Sequence, residues 1–199
     1  MFTLEEGAKL VKLARKAIEY FLATGKILAD PSPDEKFNVR YGVFVTLHKF
    51  PTKELRGCIG FVEGIMPLWQ AVKHAAISAA FRDPRFEPLA AKELNEIVVE
   101  VSILTKPEKL KGEKETYPEQ IEIGKDGLLF KKGRFSGVLL PQVAVEWNWD
   151  PLTFLQQVSI KAGLFKNSWK DPDAEIYKFQ SQIFAEVEPK GEIEEIAME

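Results

Sequence analysis

Tyr41-Gly42-Val43-Phe44-Val45-Thr46-Leu47-His48, then a polar turn at Thr52-Lys53-Glu54, then Leu55-Arg56-Gly57-Cys58-Ile59-Gly60, together read as a β-hairpin. Tyr41, Val43, Val45 and Leu47 alternate with Arg40, Gly42, Thr46 and His48, the period of a strand with one face on a core. Phe44 interrupts the alternation, which implies that the second face is partly covered as well. In the second arm Leu55, Ile59 and Phe61 flank two glycines, which mark backbone that bends sharply or comes close to a neighbour.

Outward from the hairpin, Thr3 and Glu6 predict a capping box. Leu4, Ala8, Val11, Ala14, Ile18, Phe21 and Leu22 follow at helical spacing, with Gly25 as the stop. Pro67 is placed to be the first residue of a second helix, whose small-residue face (Val72, Ala75, Ala76, Ala79, Ala80) suits close packing. Val99-Glu100-Val101-Ser102-Ile103-Leu104 alternates as a strand. Pro107 to Pro118 is a charged connection, and Ile121–Ile123, Leu128–Phe130 and Val138–Leu140 are expected as three further strands. Asp126-Gly127 and Lys132-Gly133 read as turns. Pro141 opens a short helix, and Asp150-Pro151 caps another that runs to Gly163. Ile176–Val187 is a closing strand, and residues 188–199 are expected as an acidic, flexible tail. Strands and helices do not alternate regularly, so the reading is α+β rather than a doubly wound parallel sheet.

The length of 199 residues suits one domain, with or without two lobes, and 45% hydrophobic residues supply its core. The balance of 27 basic against 30 acidic side chains argues against a general affinity for nucleic acid, while a local basic groove stays open. One cysteine forms no internal disulfide, and no Cys/His cluster has zinc spacing, so no metal site is expected. No apolar run is long enough to cross a bilayer, and Met1–Glu6 lacks the layout of a signal peptide. The expectation is a cytoplasmic protein with no membrane association.

Chemistry concentrates in three places. Arg56-Gly57-Cys58 sets the only thiol beside a cation. That arrangement suits a nucleophile, because nearby positive charge favours thiolate, and equally suits a small buried hydrophobe. Arg82-Asp83-Pro84-Arg85-Phe86 sets two arginines around a carboxylate. The guanidinium fork suits an anionic ligand, or one arginine pairs with Asp83 and pins the turn. Gly124-Lys125-Asp126-Gly127, with Leu139-Leu140-Pro141-Gln142, lines a pocket or forms a plain hairpin turn. His48 is near enough in the hairpin to approach Cys58, and His74 is expected at a helix surface. Glu146, Trp147, Trp149 and Asp150 read as an aromatic core anchor near a helix start.

Leu55-Arg56-Gly57-Cys58-Ile59-Gly60, Asp83-Pro84-Arg85-Phe86, Val99 to Leu104, Leu139 to Ala144, Trp149-Asp150 and Lys161-Ala162-Gly163-Leu164, in this order along most of the chain, resemble the AMMECR domain family. The resemblance implies a stand-alone member spanning residues 1–199, a single two-lobed α+β domain of mixed helices and mainly antiparallel sheet. It implies an active or binding site at the hexapeptide and leaves substrate and cofactor unassigned. It further implies a functional link to a dioxygenase-like domain and a radical-SAM protein. Asp126 stands where the family pattern often has a histidine, so an imidazole base is not supplied there.

Two main readings follow, with a third behind them. In an enzyme, Cys58 is the nucleophile, Arg56 lowers its pKa, Arg82 and Arg85 hold an anionic substrate, and Asp83 or Asp126 orients the partners. In a binding module, Cys58 is structural, and Arg56, Gly57, Gly60, Arg82, Arg85 and Asp126 form a groove for an anionic ligand or a protein partner. Nucleic-acid binding by stacking on aromatics beside arginines is the third.

Overall fold

The Thr3 hydroxyl accepts from the Glu6 N–H at 3.3 Å and the Glu6 carboxylate accepts from the Thr3 N–H at 2.7 Å, so the expected capping box starts helix α1 (Leu4–Thr24). Gly25 ends it in a left-handed conformation, φ +68°. The expected hairpin follows as β1 (Gly42–Lys49) and β2 (Leu55–Phe61), paired antiparallel with Val45 opposite Ile59 and Thr46 opposite Cys58. Pro67 caps rather than begins α2 (Leu68–Phe81), and β3 (Ile97–Leu104) pairs antiparallel with β1 on its other side.

The rest of the chain contributes β4 (Glu108–Lys109), β5 (Asp126–Lys132), β6 (Phe135–Leu139), α3 (Pro141–Glu146), α4 (Pro151–Lys161), β7 (Glu175–Glu186) and β8 (Ile193–Ile196). The protein, seen here as a computed structural model, is described over residues 1–197. It is an α+β fold, and the pairs β1–β2, β1–β3, β4–β7, β5–β6, β5–β7 and β7–β8 are all antiparallel.

The chain divides into two units. The first comprises Met1–Leu104 and Gln182–Ile196. Its strands run β2-β1-β3-β7, with β8 added on β7. Val43, Val45, Leu47, Val99, Val101 and Ile103 meet Leu10, Ala14, Ile18, Ala75 and Ala79 of the two helices in one apolar core. The buried Arg15 of α1 crosses that core's edge to Glu186, with both carboxylate oxygens at 2.5 Å. Nη1 and Nη2 also reach the Leu94 and Ile97 carbonyls, so all three guanidinium nitrogens are engaged.

The second unit includes Thr105–Ser181. β4 pairs with the first half of β7, and β5 and β6 form a hairpin beside it. Leu128, Phe130, Phe154, Leu155, Val158, Trp169 and Ile176 make its core. Asp150 caps α4 through the Thr153 N–H at 2.7 Å, as the sequence predicts.

Three expectations are corrected. Ile121 and Ile123 lie in irregular chain, although Ile121 joins the core. Asp126-Gly127 opens β5 instead of turning, because the Asp126 carboxylate accepts from the Glu122 N–H at 3.0 Å and takes Lys178 Nζ at 3.2 Å. The acidic segment expected as a flexible tail holds β8, with Ile193 opposite Glu186 and Ile196 opposite Ile183; Met198 and Glu199 lie outside the described residues. Acidic composition did not prevent pairing, because the strand adds to an existing edge and Ile193 packs on the core.

Gly57 is fixed by α2. A Cβ there would sit 2.1 Å from the Ala79 carbonyl oxygen, a backbone atom that cannot rotate away. We expect Gly57→Ala to destabilise the protein by about 1–3 kcal/mol, read as a lower urea midpoint. An unchanged midpoint would show that α2 yields freely.

Candidate functional site

β2 is an edge strand, and a bulge in its pairing governs the local geometry. Leu47 faces Gly57 and His48 faces Leu55, which leaves Arg56 without a partner on β1. Its guanidinium turns to Glu93, with Nε–Oε1 2.7 Å and Nη2–Oε2 3.2 Å, and Nη2 also donates to the Glu87 carbonyl at 2.9 Å. Arg56 is 6% exposed. It fastens β2 to the segment after α2, its buried Nη1 has no hydrogen-bond partner among the described residues, and it is not among the groups that set the Cys58 pKa.

Gly57 faces Ala79 of α2, so by strand alternation Cys58 points to the other face of the sheet. Its N–H donates to Asp83 Oδ2 at 2.9 Å, and its carbonyl accepts from Arg85 Nη2 at 3.3 Å. Asp83 is 4% exposed and also takes Arg85 through Nε–Oδ1 2.9 Å, Nη2–Oδ2 2.7 Å and the Arg85 N–H at 3.1 Å. These bonds, led by the Arg85 guanidinium, hold the Asp83 carboxyl far below the usual carboxylate range. So the Asp83–Arg85 pairing forms, while Arg82 stays exposed and has no ion pair among the described residues. Arg85 keeps 53% of its side chain exposed and stacks on Phe86, Cζ 5.5 Å from the ring centroid.

Sequence reasoning did not pick out Thr46, Glu93 and Glu100. Thr46, Cys58 and Glu100 lie in one row across β2-β1-β3. The Thr46 hydroxyl donates to Cys58 Sγ at 3.2 Å. His48 does not bond the thiol: its Nδ1 lies 3.2 Å from the Lys53 carbonyl and its Nε2 3.5 Å from Glu100 Oε2. With oxygen acceptors on both nitrogens, the imidazolium is favoured, and Glu100 raises the His48 pKa. The signal for the row was present in the strand parity, since Thr46, His48, Glu100 and Ser102 all occupy positions off the apolar face. The pairing of β1 with β3, which brings them together, is not encoded locally.

Burial pushes the Cys58 thiol pKa up, and the Thr46 hydroxyl and Arg85 oppose this without reversing it. The thiol is the neutral form at pH 7. His74 is half-buried, and desolvation lowers its pKa, with the Lys73 and Arg82 charges adding to the effect. Gly60, like Gly57, answers to packing: a Cβ would meet the Val43 carbonyl oxygen at 2.2 Å. Asp126 belongs to the second unit and is engaged there by Lys178. Among the described residues no group of three or more His, Cys, Asp or Glu is placed to hold a metal ion.

The AMMECR1 family profile matches residues 11–184. The chain belongs to the AMMECR1 family. Within it, protein MJ0810 of Methanocaldococcus jannaschii is 51% identical over 97% of this chain and 96% of its own. Protein MK0488 of Methanopyrus kandleri is 51% identical over 97% and 94%. The crystal structure of the uncharacterized protein PH0010 from Pyrococcus horikoshii superposes with a TM-score of 0.90 at 47% identity, covering 96% of both chains. The match spans both units of this AMMECR1 chain, so family membership does not rest on the hexapeptide alone. Among the described residues, no helix is long and apolar enough to cross a membrane.

Two predictions follow from the electrostatics. Alkylation of Cys58 by iodoacetamide should accelerate only above the ordinary thiol midpoint of about 8.5. A rate profile from pH 6 to 11 reads this directly, and a midpoint below 8.5 would mean an activated thiolate. His48 has a raised folded pKa, so its stabilisation is complete below the unfolded value of about 6.5 and is lost as pH rises through the folded one. His48→Gln should flatten the decline in urea midpoint as pH rises from about 6.5; an identical decline in the variant would assign it to another group.

Proposed function

We propose that the turn from Arg82 to Phe86, resting on the Cys58 strand, is a recognition site for an anionic ligand, and that the site binds without forming a covalent bond to Cys58. The observation that carries this reading is the state of Arg85. Asp83 and the Cys58 carbonyl fix its guanidinium, yet about half of the side chain remains exposed. A guanidinium held this way loses little rotational freedom on meeting a carboxylate or phosphate. Asp83 offsets one positive charge, and Arg82 beside it supplies a second with no ion pair among the described residues.

The enzyme reading has less support. A nucleophilic cysteine needs a thiolate and a base within hydrogen-bond reach. Here burial favours the thiol, and the polar partner of the sulfur is a hydroxyl. The Thr46 hydroxyl and the protonated sulfur are suited to line the floor of a recognition site instead.

Titration with inorganic phosphate, followed through the backbone N–H resonance of residue 58, which bonds Asp83 beside Arg85, tests the reading. Binding should weaken by about tenfold in Arg85→Ala, the loss of one charge-assisted contact, and weaken in Arg82→Ala. It should stay within about twofold in Cys58→Ser, which keeps a small polar group. Loss of binding in Cys58→Ser with both arginine variants unaffected would overturn it.

A further inference from the structure

Trp147 is not the core anchor that its composition suggests. It is 67% exposed, at the C-terminal end of α3. Only one side of the indole is supported. Trp149 lies 6.2 Å away, centroid to centroid, with the planes 20° apart, and Trp149 in turn leans on Phe154 at 6.4 Å. Phe154 is fully buried in the core of the second unit. The three rings make a shelf whose outermost member is held from beneath and open above.

Along the chain, the charge that flanks the shelf has one sign, and the nearby Lys125, next to Gly124 on Val145, is paired with Glu122. From Phe135 to Ile160 the sequence contains no lysine, arginine or histidine, and its acids are Glu146 and Asp150. Glu146 is exposed and has no ion pair among the described residues. Asp150 is exposed and ionised, its carboxylate held below the usual range by the Thr153 hydroxyl and N–H. An electron-rich indole face attracts cations, and flanking carboxylates strengthen that attraction while repelling phosphate.

We infer that the Trp147 face, with Glu146 beside it, docks an arginine-bearing segment of a partner polypeptide. A planar guanidinium stacks on indole and donates to a carboxylate in the same pose, which a tetrahedral ammonium cannot do. An exposed, rigidly backed tryptophan is the residue type that anchors protein interfaces. The surface is independent of the Arg82–Arg85 turn, in residues and in charge.

The test is titration of the full chain with the peptide acetyl-Gly-Arg-Gly-Arg-Gly-amide, watching the Trp147 indole N–H resonance, assigned through Trp147→Phe. The inference expects a saturable shift at Trp147, weaker binding of the lysine peptide, and no shift with the citrulline peptide, which keeps the shape and removes the charge. Glu146→Gln, a surface change with little effect on folding, should weaken the arginine peptide by about threefold. Equal shifts from the citrulline peptide, an unchanged affinity in Glu146→Gln, binding of oligothymidylate in place of the peptide, or no shift with any probe would each overturn it.

Discussion

One buried carboxylate organises the region around the hexapeptide. Asp83 accepts from the Cys58 N–H and three times from Arg85, which fills the lone pairs of both oxygens. β2 is an edge strand, and an edge leaves backbone donors and acceptors without partners. At Cys58 the Asp83–Arg85 pair takes both, the carboxylate receiving the N–H and the guanidinium covering the carbonyl. The pair thus stands where a further strand would. It fixes the backbone that carries the thiol and aims Arg85 in the same stroke.

That arrangement explains why a thiol among arginines is not an activated thiol. Attraction to Arg85 favours the thiolate, but Arg85 shares its charge with Asp83, and Asp83 and Glu100 both act against a second anion. Desolvation is the largest influence and works in the same direction as the carboxylates. Arg56, the nearest cation along the chain, is the unpaired residue of the bulge and is bound to Glu93. Adjacency in sequence therefore overstated the positive field at the sulfur. The neutral thiol is the product of burial and of prior commitments among its neighbours.

The same distinction separates what the sequence disclosed from what it did not. Caps and hairpins rest on neighbours a few residues apart, so Thr3 with Glu6, Asp150 with Thr153 and the 41–61 hairpin were legible. Asp126-Gly127 carries turn composition, but a carboxylate fastened to the Glu122 N–H and to Lys178, 52 residues on, draws it into a strand. Ile193–Ile196 lies in acidic chain, and its strand exists because β7 offers an edge. Cys58, Asp83 and Arg85 were legible as residues of interest; Thr46, Glu93 and Glu100 were not. Their roles arise from cross-strand registers and from a partner 37 residues away.

Charge at the level of composition says little about where charge can act. The chain is nearly balanced, at 27 basic and 30 acidic side chains. Most of the groups around the hexapeptide are already spent on one another: Arg56 on Glu93, His48 on Glu100, and Arg85 partly on Asp83. An internally paired ion has exchanged its water for a fixed partner and gains little by meeting a ligand. What remains for the proposed recognition is the part left over: the open half of Arg85 with Arg82 on one unit, and Glu146 beside an exposed indole on the other, neither Arg82 nor Glu146 having an ion pair among the described residues. The two surfaces are opposite in sign, as the ligands proposed for them require. Availability, set by which pairs the fold completes internally, is the quantity that decides which charges have a function beyond holding the chain together.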